Sequence, residues 1–595
     1  MADWQGIQRD EVKNLRKTRP LHTQRALATG GRRGLYDAFE GSLCREWNVS
    51  ESDQTFDFIV VGAGSAGCLL ANRLSADPAN RVLLLEAGGR DNWIWYHIPV
   101  GYMYSSGNPR SDWCYLTEPE PGLNGRRMPC PRGKVIGGSS AINAMIYIRG
   151  QSGDYDHWRQ LGLKGWGWDD VLPYFRKHED HFGGENDHHG AGHELRVDPQ
   201  RADYPINQVF EQAVGQAGIP SSRDLNTGEA EGMARCEVTQ KGGLRMSAAR
   251  AFLKPALTRP NLKLETGVLC ERILFNGRRA SGIQYRQDGQ TKIANARGEV
   301  ILCAGAIGTP QLLLLSGVGS AAHLREQGID VVADRPGVGE NFHDHLQFPQ
   351  RFAVDFNGTL NDSYWSLPRR AWIGLEYALF RRGPLSMAPH QYAVYLRSDP
   401  SQDRPNLALY PIPYARESAA SAKLRRGSGI TLSICDLRPT SRGRLRLKKN
   451  DAAEHPSLLF NYLTSERDQR VAVDGLKIVK RIVQQPALAR LNPHVVTEGV
   501  MPGEDDASYL QTTRNIAFTI FHPVGSAKMG IASDPLAVLD ERLRVMGVEG
   551  LRVVDASAIP AVTSGNTNAP TMMVAEKGAE MILSDARSRP ARAAA

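Results

Sequence analysis

The stretch "FDFIVVGAGSAGCLLANRLSADPANRVLLLEAGG", residues 56–89, sets the fold class. A β-branched run from Phe58 to Val61 leads into Gly62-Ala-Gly64-Ser65-Ala66-Gly67, then a helical pattern, then a second apolar run ending at Glu86. This order predicts strand, tight turn, helix and strand, the opening unit of a Rossmann-like α/β sheet. Gly62 permits the turn, Gly64 lets a pyrophosphate approach the backbone, and Gly67 lets the helix sit close to the sheet. The free amides at the helix start, around Ser65 and Ala66, would hold the phosphates. Glu86 lies nineteen residues past Gly67, where an acid can bind the ribose 2′-hydroxyl. A glycine triplet alone is weak, because glycine-rich turns are common; here its whole context is present. The acid favours an unphosphorylated ribose, hence NAD or FAD over NADP.

A chain of 595 residues is too long for one small core and predicts two or more lobes. The apolar runs that follow ("VILCAGA", "QLLLLSGVG") are short and end in glycine, as buried strands and helix starts do. None approaches the ~18 consecutive apolar residues of a membrane span. The net charge of +8 is concentrated in the ends, "RDEVKNLRKTRPLHTQRALATGGRRG" and "ARSRPARAAA". No aromatics interleave with them as in a base-stacking surface, so nucleic acid is not expected as a partner. A weak attraction of these basic ends to an anionic membrane surface stays open. Eight cysteines (44, 68, 114, 130, 236, 270, 303 and 435) are scattered, with no Cys-x-x-Cys. That pattern points to a reducing, cytoplasmic setting. No apolar run follows the Arg pair in "GGRRGLY" to make a signal sequence. Residues 1–54 read as a poorly ordered extension.

A second glycine-rich loop, "GKVIGGSSAINAMIYIRGQSGDYD" (133–156), supplies Gly137, Gly138, Asn143 and Ala144. Its amides could cradle a further polar group; read blandly, it is an ordinary turn. This loop, "GAIGTPQLLLLSGVG" (305–319), "FHPVGSAKMG" (521–530) and "LRVVDASAIPAVTSGNTNAPTMMVAEKGAEMIL" (551–583) together resemble the glucose–methanol–choline (GMC) oxidoreductase family. "GVGENFHDHL", "LRPTSRGRLRL" and "FNYLTSERD" carry the resemblance through the middle of the chain, so that it spans about 55–588. It implies a flavoprotein of overall α+β make-up with bound FAD. An FAD-binding lobe would comprise 55–350 and 505–588, and a substrate lobe on an antiparallel sheet 351–504. "ITLSICDLRP" and "RGRLRLKK" alternate as such strands do.

The resemblance also assigns roles. The histidine of the His-Pro motif, His522, would face the flavin, with Asn566 as its partner. In chemical terms His522 takes the hydroxyl proton of an alcohol as general base. Asn566 donates a hydrogen bond to the developing alkoxide. Asn568 near the cap and Pro570 in the first turn would start a helix whose positive end, with Thr571, points at the flavin. The backbone at Asp555 and Ala556 would approach the cofactor. Lys528 stands where the motif usually has arginine. Cys130 lies near the place where some members attach flavin to histidine, but a free buried cysteine is the expectation.

The histidines of "KHEDHFGGENDHHGAGHEL" (178, 181, 188, 189 and 193) sit among glycines with no metal-ligand spacing and read as a solvated loop. No metal is expected. "SGVGS" lacks the order of a nucleophile elbow. The expected activity is FAD-dependent oxidation of a primary alcohol, with electrons passed to a quinone or other acceptor by a monomer or homodimer. The alternatives are an oxidase making peroxide, where side chains such as Ile520 would govern oxygen access, and non-redox lyase or photodecarboxylase chemistry.

Overall fold

The computed structural model describes residues 55–417, 423–496, 503 and 505–588; the extension expected at 1–54 lies outside them. Thr55–Val61, Val82–Glu86 and Gln290–Leu302 form the centre of a seven-stranded sheet, all parallel, with Val60 opposite Leu84 on one side and Ile301 on the other. Every residue of Val82–Glu86 is buried. Both faces are covered over Phe58–Val61, Val82–Leu85 and Val300–Leu302, which is why these stretches are unbroken apolar runs instead of alternating ones. Leu262–Thr266 adds a parallel edge, and Leu551–Val553, from far along the chain, pairs in parallel with 300–302. Arg279–Gln287 and Leu269–Asn276 close the other side antiparallel. The Ser65–Leu74 helix packs on this sheet and on the Asn568–Ser588 helix.

The predicted turn has a steric reason. Gly62 adopts φ +101°, and its amide donates to the Leu85 carbonyl at 2.8 Å. A Cβ on Gly67 would stand 1.8 Å from the Gly62 carbonyl oxygen. Only glycine lets the helix begin this close to the strand it leaves.

The second seven-stranded sheet is antiparallel. It runs Gly232–Arg235, Tyr392–Leu396, Leu407–Ile412, Gly429–Asp436, Leu346–Ala353, with His494–Val495 and Phe518–Thr519 both on the last strand. It therefore draws strands from outside 351–504 as well as from within. "ITLSICD" lies in its centre, and both of its faces are buried because the Glu466–Val483 helix covers one of them. "RGRLRL" instead forms a separate two-stranded ribbon, Arg444–Arg446 with Ser457–Leu459. Leu346 pairs with Thr519, so the second sheet fixes the backbone three residues before His522. Among the described residues no helix is long and apolar enough to cross a membrane.

Gly67→Ala is expected to destabilise the protein by at least about 1–3 kcal/mol, the usual cost of overpacking a tight contact. Gly89→Ala, where a Cβ meets nothing within 4 Å, should be close to neutral. Thermal unfolding followed by circular dichroism distinguishes them; equal midpoints for the two variants would refute the packing argument.

Candidate active site

Three helix N-termini converge on one cleft of about 300 Å³. Gly64, Ser65 and Ala66 open the first helix, Gly305 and Ala306 the Gly305–Leu315 helix, and Thr567, Asn568 and Thr571 the last. The residue preceding each of the first two supplies no side-chain cap; Gly305 gives its amide to Asp555, and the amides of Ser65, Ala66 and Ala306 are left for a ligand in the cleft. Their dipoles favour negative charge at these ends. The Ser65 hydroxyl donates to the Asn568 Oδ1 at 2.7 Å and ties two of these ends together. A Cβ on Gly138 would fall 2.6 Å from the Gly64 Cα; the two glycine loops touch backbone to backbone. These features, bare amides and walls without side chains, fit the diphosphate of a dinucleotide.

Of the residues singled out in the sequence, Gly62, Gly64, Ser65, Ala66, Glu86, Gly138, Asn143, Ala144, Asp555, Ala556, Asn568, Thr571, His522 and Asn566 line this cleft. Gly67 and Gly137 do not; they shape it from behind. Gly137, at φ +91°, donates its amide to the Ala63 carbonyl at 2.7 Å. The Glu86 carboxylate accepts from the amides of Ala63 (2.9 Å) and Gly88 (2.7 Å). Burial lifts it to about 7 against the pull of those amides. A ribose hydroxyl would share these oxygens with the backbone. The Asp555 side chain is taken up internally, accepting from the Gly305 amide (2.8 Å), the Thr309 hydroxyl (2.6 Å) and Ser557, so only its backbone is offered to a ligand. Lys528 pairs with Asp534 at 2.5 Å and does not line the cleft. Cys130 is buried away from it, its thiol pushed up to about 12 by burial.

His522 occupies the other end, in a chain of hydrogen bonds whose directions are fixed. The Leu437 carbonyl, which can only accept, lies 3.0 Å from His345 Nε2; that nitrogen carries the proton. Burial holds His345 neutral, down to about 4, so its Nδ1 is a bare acceptor. His522 Nδ1, 3.0 Å away, must then be the donor. This leaves His522 Nε2 with its lone pair free to accept, 3.1 Å from the Asn566 amide nitrogen. Burial, then the neighbouring His345 and Arg132, keep the His522 imidazole well below its ordinary value. The arrangement presents an unprotonated ring nitrogen to the cleft beside a neutral hydrogen-bond donor.

The backbone that aims His522 is strained and clamped. Phe521 has φ +68°, and Met145 across the cleft +64°, each costing ~1–2 kcal/mol for a side-chain-bearing residue. The Phe521 amide donates to the Thr519 hydroxyl (2.8 Å), and Arg132 donates to the Phe521 carbonyl (2.6 Å). Asp344 accepts from the His522 amide (2.6 Å), the Tyr462 hydroxyl (2.6 Å), the His345 amide (2.8 Å) and the Thr519 hydroxyl. Asp344, His345 and Arg132 were not singled out in the sequence. "FHDHL" was the available signal, an acid between two histidines in an apolar setting.

The histidine-rich segment departs from its solvated-loop reading. His178, His181 and His189 are buried, and only His193 is exposed. His189 bridges Glu179 (3.1 Å) and Asp224 (2.9 Å), and His181 meets Glu237 (2.9 Å). The buried Arg149–Glu179 pair at 2.6 Å completes the network. Burial pulls His189 down, but its bonds to Asp224 and Glu179 outweigh this and lift it to about 9. Carboxylates distant in sequence make burial tolerable here, and spacing alone did not reveal them.

Two family profiles described as GMC oxidoreductase match residues 56–347 and 439–575. The chain is 42% identical to alcohol dehydrogenase [acceptor] of Pseudomonas putida over 89% of its own length and 96% of that protein's. It is 40% identical to the mitochondrial choline dehydrogenase of Homo sapiens, covering 90% of each. The crystal structure of pyridoxine 4-oxidase from Mesorbium loti superposes with a TM-score of 0.79 at 30% identity, covering 88% of this chain and 98% of that one. With the cleft, its three helix ends and the Rossmann-like sheet, these matches make the chain a member of the GMC oxidoreductase family, an FAD-dependent flavoenzyme.

Proposed function

We propose that this FAD-dependent alcohol dehydrogenase oxidises a primary alcohol to an aldehyde, with His522 as the proton acceptor and Asn566 as its partner. The observation that carries the reading is the bare Nε2 of His522, fixed by the chain Leu437–His345–His522–Asn566. Gly62, Gly64, Ser65 and Ala66 would hold the diphosphate, Glu86 the ribose, and Asn143, Ala144, Ala556, Asn568 and Thr571 the flavin. FAD, when bound, supplies the hydride acceptor. His522 Nε2 takes the hydroxyl proton as the hydride leaves carbon. The Asn566 N–H turns from Nε2 to the oxygen on which charge builds. Arg132 is a cation near the ring; it helps keep His522 unprotonated and favours an alkoxide. The two-lobe division, 55–350 with 505–588 and then 351–504, is our assignment; the presence of two sheets supports it, although the second sheet also takes 232–235, 346–350 and 518–519 from the first lobe's range. Electrons would pass to a quinone or similar acceptor in the cytoplasm. An anaerobic alcohol screen for loss of flavin absorbance, then re-oxidation with a quinone analogue or oxygen, tests substrate and acceptor together. Fast re-oxidation by oxygen alone would make it an oxidase instead.

His522→Ala should lower kcat/KM by ~10²–10⁴-fold while FAD content, read from absorbance, stays unchanged. Because His522 titrates well below 6.5, kcat/KM should stay level as pH falls through 6.5 and drop only in more acid solution, where the base becomes protonated. Asn566→Asp, placing a carboxylate beside Nε2, should move that acid limb upward. A wild-type limb centred at or above 6.5 would contradict the buried neutral base.

His345 acts through His522. His345→Phe removes the acceptor that fixes the tautomer and should cost kcat roughly 10²-fold or more, by analogy with other mis-set catalytic imidazoles, with KM changing little. His345→Gln can donate to Leu437 and accept from His522, and should restore most of the rate. Equal rates for both variants would remove His345 from the mechanism.

A further inference from the structure

The Leu367–Phe380 helix carries its apolar side outward. Leu367, Ala371, Leu375 and Leu379, four residues apart, form one stripe, with Trp372 and Ala378 alongside, and all six are exposed. Leu367 is 76% exposed, Leu379 63%, Trp372 57% and Leu375 49%. The face turned to the protein holds the helix by Tyr377, its only buried residue, whose hydroxyl donates to the Gly243 carbonyl at 2.9 Å. An ordinary surface helix does the reverse, with polar residues outward. The helix is nonetheless well built, with Pro368 in its first turn and Arg381 closing it in the left-handed conformation at φ +54°.

The net charge of the helix and its C-terminal end is positive. Residues 367–382 contain Arg369, Arg370, Arg381 and Arg382 against a single acid, Glu376, a net of +3 (four minus one). Glu376 is itself paired with Arg382 at 3.0 Å. Among the described residues no carboxylate lies within 4 Å of the guanidinium of Arg369, Arg370 or Arg381. Next to the helix, half-exposed Trp365 donates its indole N–H to the Arg425 carbonyl, and the exposed Arg426 guanidinium lies 4.8 Å from its ring.

We propose that this helix docks the enzyme onto an anionic lipid bilayer, with the 367–371–375–379 stripe and Trp372 in the interface and the arginines among the headgroups. An amphipathic helix with tryptophan and leucine on one side and arginine beside them suits that boundary. The stripe is an exposed helix face, which a bilayer accepts without a matching groove. A second copy meeting it about a two-fold axis would bring two arginine-rich helices together, an unfavourable pairing of like charge. The Pro384–Ser386 turn after the helix packs against Pro99–Gly101, and Ser106, five residues further along, lines the cleft. A docked enzyme would hold that wall of the cleft near the lipid.

The test uses the full-length, FAD-loaded protein sedimented with sucrose-filled vesicles of phosphatidylcholine alone or mixed with phosphatidylglycerol. The wild-type protein should pellet with the anionic vesicles, less with phosphatidylcholine alone. Partition of Leu375→Asp/Leu379→Asp should fall by about tenfold or more, with dye-linked turnover and flavin spectrum unchanged. Arg369→Gln/Arg370→Gln should lose much of the preference for anionic lipid. The proposal is overturned if wild-type protein stays in the supernatant with both vesicles, or if the double Asp variant pellets like wild type, which would assign binding to the basic termini. It is equally overturned if sedimentation equilibrium shows a dimer that the double Asp variant dissociates, which would make the stripe a self-association face.

Discussion

One buried carboxylate holds the active end of this enzyme together. Asp344 receives hydrogen bonds from the backbone of His345 and His522 and from the hydroxyls of Tyr462 and Thr519. Burial raises its affinity for a proton, and these donors pull the other way. A carboxylate so enclosed is tolerable only when its lone pairs are filled. The constraint therefore runs in both directions. The acid fixes where the segments meet, and they must meet there to make the acid affordable. The left-handed turn at Phe521, and with it the aim of His522, follows from that junction.

Around this junction the histidines are kept uncharged. His343, His345 and His522 are all buried and all held below the ordinary imidazole value, chiefly by burial. A base that begins the reaction unprotonated needs no earlier proton loss. The His189 network behaves in the opposite way, with carboxylates on both ring nitrogens holding it protonated. The same residue type thus does two jobs in one chain, decided by which neighbours are within hydrogen-bonding distance.

How much of this could be read in the sequence depends on the range of the interaction. The turn at Gly62–Gly67 and the neighbouring strands were legible, because the steric demand and the residues that meet it lie within one short stretch. FAD and the family were legible through separate motifs that match as a set. The clamp at Asp344 was not, because its partners at 462, 519 and 522 lie more than a hundred residues along the chain and meet it only in the fold. The histidines at 181 and 189 were misread for the same reason: Glu237 and Asp224, which neutralise them, lie beyond any local window. The outward face of the Leu367–Phe380 helix has the apolar spacing of a core helix, and only the folded chain shows which way it points.

The first sheet is completed late. Leu551–Val553 joins strand 300–302, and Ser65 bonds to Asn568 across 503 residues of sequence. During synthesis the 300–302 end of the Gln290–Leu302 strand must therefore wait without this neighbour, and the Ser65–Leu74 helix without the C-terminal helix, until almost the whole polypeptide has left the ribosome. Such an exposed sheet margin is a template for wrong pairing. Productive expression of this enzyme should thus depend on slow translation, low temperature or chaperone capacity more than its finished stability would suggest.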